Sequence, residues 1–343
     1  MKIPIRNIYY LLCYAWNVLD EGGISRIRQD DCQSYPDLFA RVLETGVTHI
    51  LRRGLDRGYI SEAEDTSSLR GKFDVSATIK RNCLHRARVH CHFDTLSYDV
   101  IHNRIIKTTI GRLVRCSEID RGLRDRLLGV YRRLHDIAAI DLSPGVFARV
   151  TLHRNNASYG LLLHVCRLIY DCLLVDEASG DTTFRDFLRD ERMMAKLFEK
   201  FVFNFFRREQ DLFAVSSESI DWQGVVGEAE QLTYLPKMRT DVSLVSAGRH
   251  IVVDTKYTVN ALQSFHGSAT VKSSNLYQLF AYLKNVQIVE RGYRRVEGVL
   301  LYPTVSTTLD LEFSIHGHRV RVATLDLNAD WRQISERLLL LLN

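Results

Sequence analysis

Proline is scarce in this chain, with five in 343 residues, and no Ser/Gly-rich stretch accompanies them. That excludes a long flexible linker. No apolar run reaches the length of a membrane span and no signal peptide opens the sequence, which argues against a membrane or secreted protein. Gly71-Lys72 is followed by Phe73 rather than Ser or Thr. There is therefore no phosphate-cradling P-loop, and the chain lacks an NTP motor of its own. A Gly-x-Ser-x-Gly elbow and internal repeats are also absent. The seven cysteines are odd in number, scattered from Cys13 to Cys172 and mostly in apolar settings. They make no disulfide framework, and a reduced, cytoplasmic protein is expected.

What is present is ordinary in amount but uneven in placement. At 343 residues the chain can bury a large core and is expected to form two domains. The net charge of +5 is mild, yet residues 1–150 carry 24 Lys+Arg against 18 Asp+Glu, and the rest carry 22 against 23. The excess concentrates in residues 104–133, where nine cations face three acids. Such a stretch suits a solvated helix pair, or a surface for phosphate or an acidic partner.

Apolar periodicity predicts helices over 7–19, closed by the Gly22-Gly23 break, and over 37–53, with Gly54 past its end. Residues 71–79 and 87–93 alternate as strands around a polar turn. Helices are expected at 103–116, 123–134, 160–174 and 191–210. The polar Glu177-Ala-Ser-Gly-Asp181 places the domain boundary near 180, giving domains 1–180 and 181–343. Later come a helix at 271–284, strands at 296–302, 309–315 and 319–325, and a helix at 328–342. Cys83, His85, His90, Cys91 and His92 crowd together, but their spacing matches no common zinc pattern. A projecting hairpin that meets a partner is the better reading. His316 and His318 read as surface turn residues, and Asp326 and Asp330 as the start of the last helix.

The most informative segment is KMRTDVSLVSAGRHIVVDTKY, residues 237–257. It reads as two short strands joined at Ser246-Ala247-Gly248. With the turn centred on Ala247-Gly248, opposed residues have numbers summing to 495. Asp241 then lies across from Asp254, about 5 Å away at Cβ. Lys256 shares their face, while Val242, Leu244, Ile251 and Val253 point to a core. Adjacent carboxylates repel unless a cation lies between them. Mg²⁺ suits such a pair, because it takes one or two carboxylates plus waters and substrate phosphate oxygens. A lysine beside them can orient an attacking water or offset charge on a pentacovalent phosphate. The same spacing also suits a hairpin whose Asp and Lys solvate one sheet face.

A helix with Glu199, a strand with Asp241, a strand with Asp254-Thr255-Lys256 and a helix with Gln278 and Tyr282 follow in order. This series resembles the PD-(D/E)XK nuclease superfamily. Ile3-Pro4-Ile5-Arg6-Asn7-Ile8-Tyr9-Tyr10-Leu11-Leu12-Cys13-Tyr14-Ala15-Trp16, Asn103-Arg104-Ile105-Ile106-Lys107 and Asn275-Leu276-Tyr277-Gln278-Leu279 are similar to the McrC family, the nuclease subunits of McrBC restriction systems. The resemblance covers essentially the whole chain. It implies an α+β fold: an N-terminal helical and β-hairpin domain that binds a partner, then an αβββαβ nuclease core. It further implies that Asp241, Asp254 and the Thr255 carbonyl hold Mg²⁺, that Lys256 is the catalytic lysine, and that Gln278 and Tyr282 support the site or touch DNA. Glu199 takes the acid position of the first helix, or is a surface glutamate at the core edge. The implied partner is a McrB-like AAA+ GTPase hexamer that binds GTP and reads 5-methylcytosine. The chain would cut methylated double-stranded DNA and stimulate GTP hydrolysis by that ring. A stand-alone repair-type nuclease and a non-catalytic activator of an AAA+ ring remain open beside this.

Overall fold

Pro4 precedes the first helix, α1 (Ile5–Ala15), and Ile8, Leu11, Leu12 and Ala15 form its buried stripe. The computed structural model describes residues 3–17, 32, 34–175, 182–185, 187–258, 262–265, 268–288, 295–304 and 308–343. The Gly22-Gly23 break lies outside them. α1 stops earlier than expected, because Asn17 turns the backbone to a positive φ of 53°.

Ser34 caps α2 (Tyr35–Arg53) by accepting from the Asp37 N–H, and Gly54 ends it at φ 97°. There follow β1 (Gly58–Thr66), β2 (Lys72–Phe73), α3 (Val75–Lys80) and β3 (Val89–Ser97). Here the structure corrects the expected strand over 71–79. Asp74 accepts from the Ala77 N–H at 2.8 Å and starts a helix instead, leaving Lys72 and Phe73 to pair with His92 and Cys91. The main partner of β3 is β1, antiparallel from Gly58↔Ser97 to Thr66↔Val89. β1 carries Glu62, Glu64 and Asp65 and has no apolar alternation to reveal it. α4 (Ile101–Val114), α5 (Arg121–Arg133), α6 (Pro144–Ala148), α7 (Tyr159–Cys172) and the paired β4 (Leu173–Val175) and β5 (Thr182–Phe184) complete this part. None of the seven cysteines is in a disulfide.

The remaining elements are α8 (Glu191–Glu209), β6 (Ala214–Ser216), β7 (Ser219–Ile220), α9 (Ala229–Leu232), β8 (Met238–Arg239), β9 (Val242–Val245), β10 (Arg249–Thr255), β11 (Leu262–Phe265), β12 (Ser268–Val271), α10 (Ser273–Ile288), β13 (Arg295–Thr304), β14 (Asp310–Ile315), β15 (His318–Asp326) and α11 (Trp331–Leu340). A mixed six-stranded sheet runs β14-β15-β13-β10-β9-β6. β13 is parallel to both β10 and β15, and the other pairs are antiparallel. The hairpin keeps the expected register, with Val253 opposite Val242 and Ile251 opposite Leu244. β10 is buried at every position from His250 to Thr255, so both its faces are covered. A solvated face on this hairpin is thereby excluded. α10 packs on β10 and β13, burying Leu279, Tyr282 and Leu283 with Val252, Leu300 and Tyr302. Gly298 lets it come close, since a Cβ there would sit 2.9 Å from Leu279 and 3.0 Å from Leu283.

α10 starts at Ser273 rather than at 271, because β12 and its partner β11 occupy the preceding residues. Asp330 caps α11, accepting from the Arg332 N–H at 2.9 Å. His316 is exposed at a positive φ of 49°. His318, expected on the surface, is buried on β15 with Nδ1 3.0 Å from the Val296 carbonyl.

The fold is mixed α+β, in two compact units. One unit runs continuously from Cys32 to Arg185. The other joins α1 to the chain from Asp186 onward, so the expected 1–180 segment does not hold together as one body. Long-range contacts explain the capture of α1. Asn7 Nδ2 donates to the Leu327 and Ala329 carbonyls at 2.7 and 2.9 Å, Tyr14 donates to Glu209 at 2.7 Å, and Tyr10 stacks on Trp331 at 4.6 Å.

Candidate active site

Asp254 is the last but one residue in the buried run of β10 and is 1% exposed. Asp241 lies one residue before β9, next to the last ladder pair, Val242↔Val253. Its Oδ2 accepts from the Thr255 N–H and from Thr255 Oγ1, each at 2.7 Å, which fixes the carboxylate against the end of β10. Lys256 Nζ donates to Asp254 Oδ1 at 3.0 Å and lies 2.8 Å from Oδ2. Both oxygens therefore lie within reach of the one ammonium, and Oδ2 is fully buried. Nζ also donates to Gln278 Oε1 at 3.0 Å, and Gln278 Nε2 donates to Tyr282 Oη at 2.6 Å. A continuous polar chain thus runs from the sheet to α10.

The electrostatics follow from burial and crowding. Desolvation pushes the Asp254 carboxyl up to about 6, with Asp241 adding to the rise and Lys256 opposing it. Burial alone would lower Lys256, but the Asp254 and Asp241 carboxylates outweigh it and hold the ammonium above its usual value. At neutral pH the pair is therefore a carboxylate and an ammonium. Glu199, half-buried on α8, is pushed up by burial and then by Asp241, so it shares the field of the site. Tyr282 is raised by burial, with the Gln278 contact opposing.

Asp241, Asp254, Thr255, Lys256, Gln278 and Tyr282 are brought together, and Glu199 stands at the side. Among the described residues, no three His, Cys, Asp or Glu side chains converge as a ready-made metal nest. The set nonetheless fits Mg²⁺, which needs only one or two carboxylates with waters. The donor set supports this fit, since the Asp254 and Asp241 carboxylates crowd together at the end of β10 with one ammonium between Asp254 and solvent-side Gln278.

One pair escaped the sequence reading. Asn275 Nδ2 donates to Tyr302 Oη at 2.9 Å, both groups being buried. Leu300 is the register partner of Asp254, so Tyr302, two residues on, shares the face of Leu300. Asn275 precedes Gln278 by three positions, a helical spacing that could have pointed to it.

Outside this region the Cys/His cluster resolves into separate pairs. His90 Nδ1 is 2.6 Å from Asp65 and His92 Nε2 is 3.4 Å from Asp74. Part of the basic stretch is internal too, since Arg104 forks onto Asp99 at 2.8 and 2.7 Å.

The family described as the McrBC 5-methylcytosine restriction system component matches residues 7–303. The chain belongs to the McrBC family. A curated relative agrees: the chain is 31% identical over 342 residues to the type IV methyl-directed restriction enzyme EcoKMcrBC of Escherichia coli (strain K12), covering 98% of this chain and 96% of that protein. The fold also matches a chain in the refined half-complex from the tetradecameric assembly of Thermococcus gammatolerans McrB AAA+ hexamers with bound McrC. That match has a TM-score of 0.59 at 18% identity and covers 99% of this chain and 76% of the other. The McrBC-like stretches each carry an asparagine that acts as a pin. Asn7 holds the turn before α11, Asn103 Nδ2 donates to the Asp56 and Tyr98 carbonyls at 3.0 and 2.8 Å, and Asn275 holds Tyr302.

Proposed function

We propose that this chain is the DNA-cutting subunit of a McrBC-type, modification-dependent restriction complex: a Mg²⁺-dependent PD-(D/E)XK endonuclease that works with an AAA+ GTPase ring. The order α8, β6, β9, β10, α10, β13 supports the αβββαβ core, with β7, α9 and β8 inserted before β9 and the β11–β12 hairpin before α10. The observation that carries the reading is the buried Asp254, ion-paired to Lys256, with Asp241 bonded to the adjacent Thr255. A fold gains little from burying such a group, because a buried ion pair seldom beats an apolar replacement.

In this reading Asp241, Asp254 and the Thr255 carbonyl hold Mg²⁺. Mg²⁺ held there would supply a more acidic water and positive charge to offset that on the scissile phosphate. Lys256 stays protonated, so it acts as a donor to the attacking water or to a phosphate oxygen, not as a base. Gln278, itself fixed by Tyr282, aims the ammonium. Glu199 adds negative charge beside Asp241.

The lack of a P-loop supports a division of labour in which the partner binds and hydrolyses GTP. Exposed Tyr59, Leu69, Ile79, Leu84 and Leu96 on and around the β1–β3 arm support partner contact in the Cys32–Arg185 unit. The names of the relatives support methylated DNA as the substrate and an McrB hexamer as the partner.

The test combines the chain with methylated plasmid, Mg²⁺ and GTP, with and without the AAA+ protein, comparing wild type with Asp254→Ala. Cutting that needs both the partner and Asp254 is expected. Cutting by the chain alone would make it a stand-alone nuclease, and stimulated GTP hydrolysis without cutting would make it an activator.

A further inference from the structure

A polar pocket lies in the Cys32–Arg185 unit, at the root of the β1–β3 arm. Its volume is about 560 Å³, within the usual range for a small-molecule site. Arg53, Arg57 and Arg154 all line it. Among the described residues, the Arg53 and Arg154 guanidiniums engage no carboxylate. Arg57 stacks 4.1 Å over the Tyr98 ring and donates to Tyr98 Oη, which fixes its fork in place. Arg53 sits in the last turn of α2, where a cation complements the helix dipole. That accounts for one cation at this place but not for three facing one cavity.

The floor is rigid and its single acid is occupied. Asp56 is the one carboxylate among the lining residues, and its Oδ2 accepts from Asn156 Nδ2 at 2.9 Å and lies 3.0 Å from His102 Nε2. Its N–H donates to Tyr159 Oη at 2.9 Å, and its carbonyl accepts from Asn103 Nδ2 at 3.0 Å. The link from α2 to β1 is therefore pinned from α4 and α7, while the Arg53 and Arg154 guanidiniums engage no carboxylate among the described residues. Leu55, Leu96 and the Tyr159 ring supply an apolar wall.

We propose that this pocket binds a phosphate-bearing small molecule, its phosphoryl oxygens held by the forks of Arg53, Arg57 and Arg154. Guanidinium forks match phosphate oxygens in charge and geometry. A concave site takes a small anion, whereas a nucleic-acid backbone needs cations spread along a stripe. The ligand is free diphosphate or the diphosphate of a nucleotide whose base lies on the apolar wall. Bound there, it would tie the arm root to the segment before α7, which carries Arg154.

The experiment titrates the full-length chain with inorganic pyrophosphate and, separately, with ADP and GDP, by calorimetry without DNA or partner. Saturable binding is expected, weakening as salt rises. The double variant Arg53→Ala/Arg154→Ala should bind at least tenfold more weakly, and both positions are exposed enough for the fold to survive, which circular dichroism checks. Tighter binding of a nucleoside diphosphate than of pyrophosphate identifies a nucleotide site, and equal binding identifies a bare diphosphate site. No saturable binding of any probe, or equal binding by the double variant, overturns the proposal. An effect of the double variant on partner binding without any anion binding would also overturn it, in favour of an acidic protein surface. None of these outcomes depends on DNA cleavage, so this inference and the nuclease reading fail independently.

Discussion

At the scale of single residues, Asp254 sets the chemistry through its burial. Burial pushes its carboxyl up to about 6 from the ordinary 3.8 that it keeps in an unfolded chain. Between those values the native state holds the extra proton, so stability falls as pH rises through the interval and stays reduced above it. Asp254→Asn should therefore raise stability at pH 7.5, by up to about 3 kcal/mol, and change little at pH 4. Urea melts at the two pH values check this, and a less stable variant at pH 7.5 would show that the ion pair outweighs the burial. Lys256→Ala should slow cleavage by roughly a hundredfold or more, as the loss of one transition-state donor does. Single-turnover rates with the partner present measure it, and a rate near wild type would remove Lys256 from the mechanism. These residues were legible in the sequence because they are local. A turn at Ala247-Gly248 and a period of two suffice to set Asp241 opposite Asp254 and to turn Lys256 to the same side. Tyr302 was not legible, since its place beside β10 depends on a parallel pairing across some fifty residues.

At the scale of elements, the site depends on how closely α10 approaches the sheet. Gly298 sets that distance, for any Cβ there would meet Leu279 and Leu283. Gly298→Val should push α10 outward, cost about 1–3 kcal/mol by overpacking and separate Gln278 from Lys256. Thermal melts and cleavage assays should both decline, and a variant that loses stability but keeps full activity would show that the Lys256–Gln278 contact is dispensable. Helices with strong apolar stripes, such as α8, were legible because period and cap agree: Asp190 accepts from the Met193 N–H, and Phe198, Phe201 and Phe205 are buried. The arm was misread for the opposite reason. Val75–Lys80 alternates like a strand, but the cap at Asp74 decides for a helix, while the true partner β1 is too acidic to look like a strand.

At the scale of the whole molecule, the sequence suggested two consecutive domains, and the fold instead threads its first helix into the last one. Nothing local foretells this, because the contacts of α1 lie some two to three hundred residues away. Its apolar stripe announces a buried helix but not the surface that buries it. Asn7 makes the connection specific: the buried Leu327 carbonyl and the part-buried Ala329 carbonyl both accept from its one side-chain amide. Asn7→Ala should leave the buried Leu327 carbonyl short of a donor and cost about 1–3 kcal/mol. The loss should fall on the unit that holds Asp254 and Lys256, while the Cys32–Arg185 unit keeps its stability. Hydrogen exchange read unit by unit tests the point. Faster exchange in α8, β10 and α11 with unchanged protection in α4, α5 and α7 is expected. Equal loss in both sets would mean that the two units unfold as one, and that α1 serves the whole chain rather than the half that carries the candidate active site.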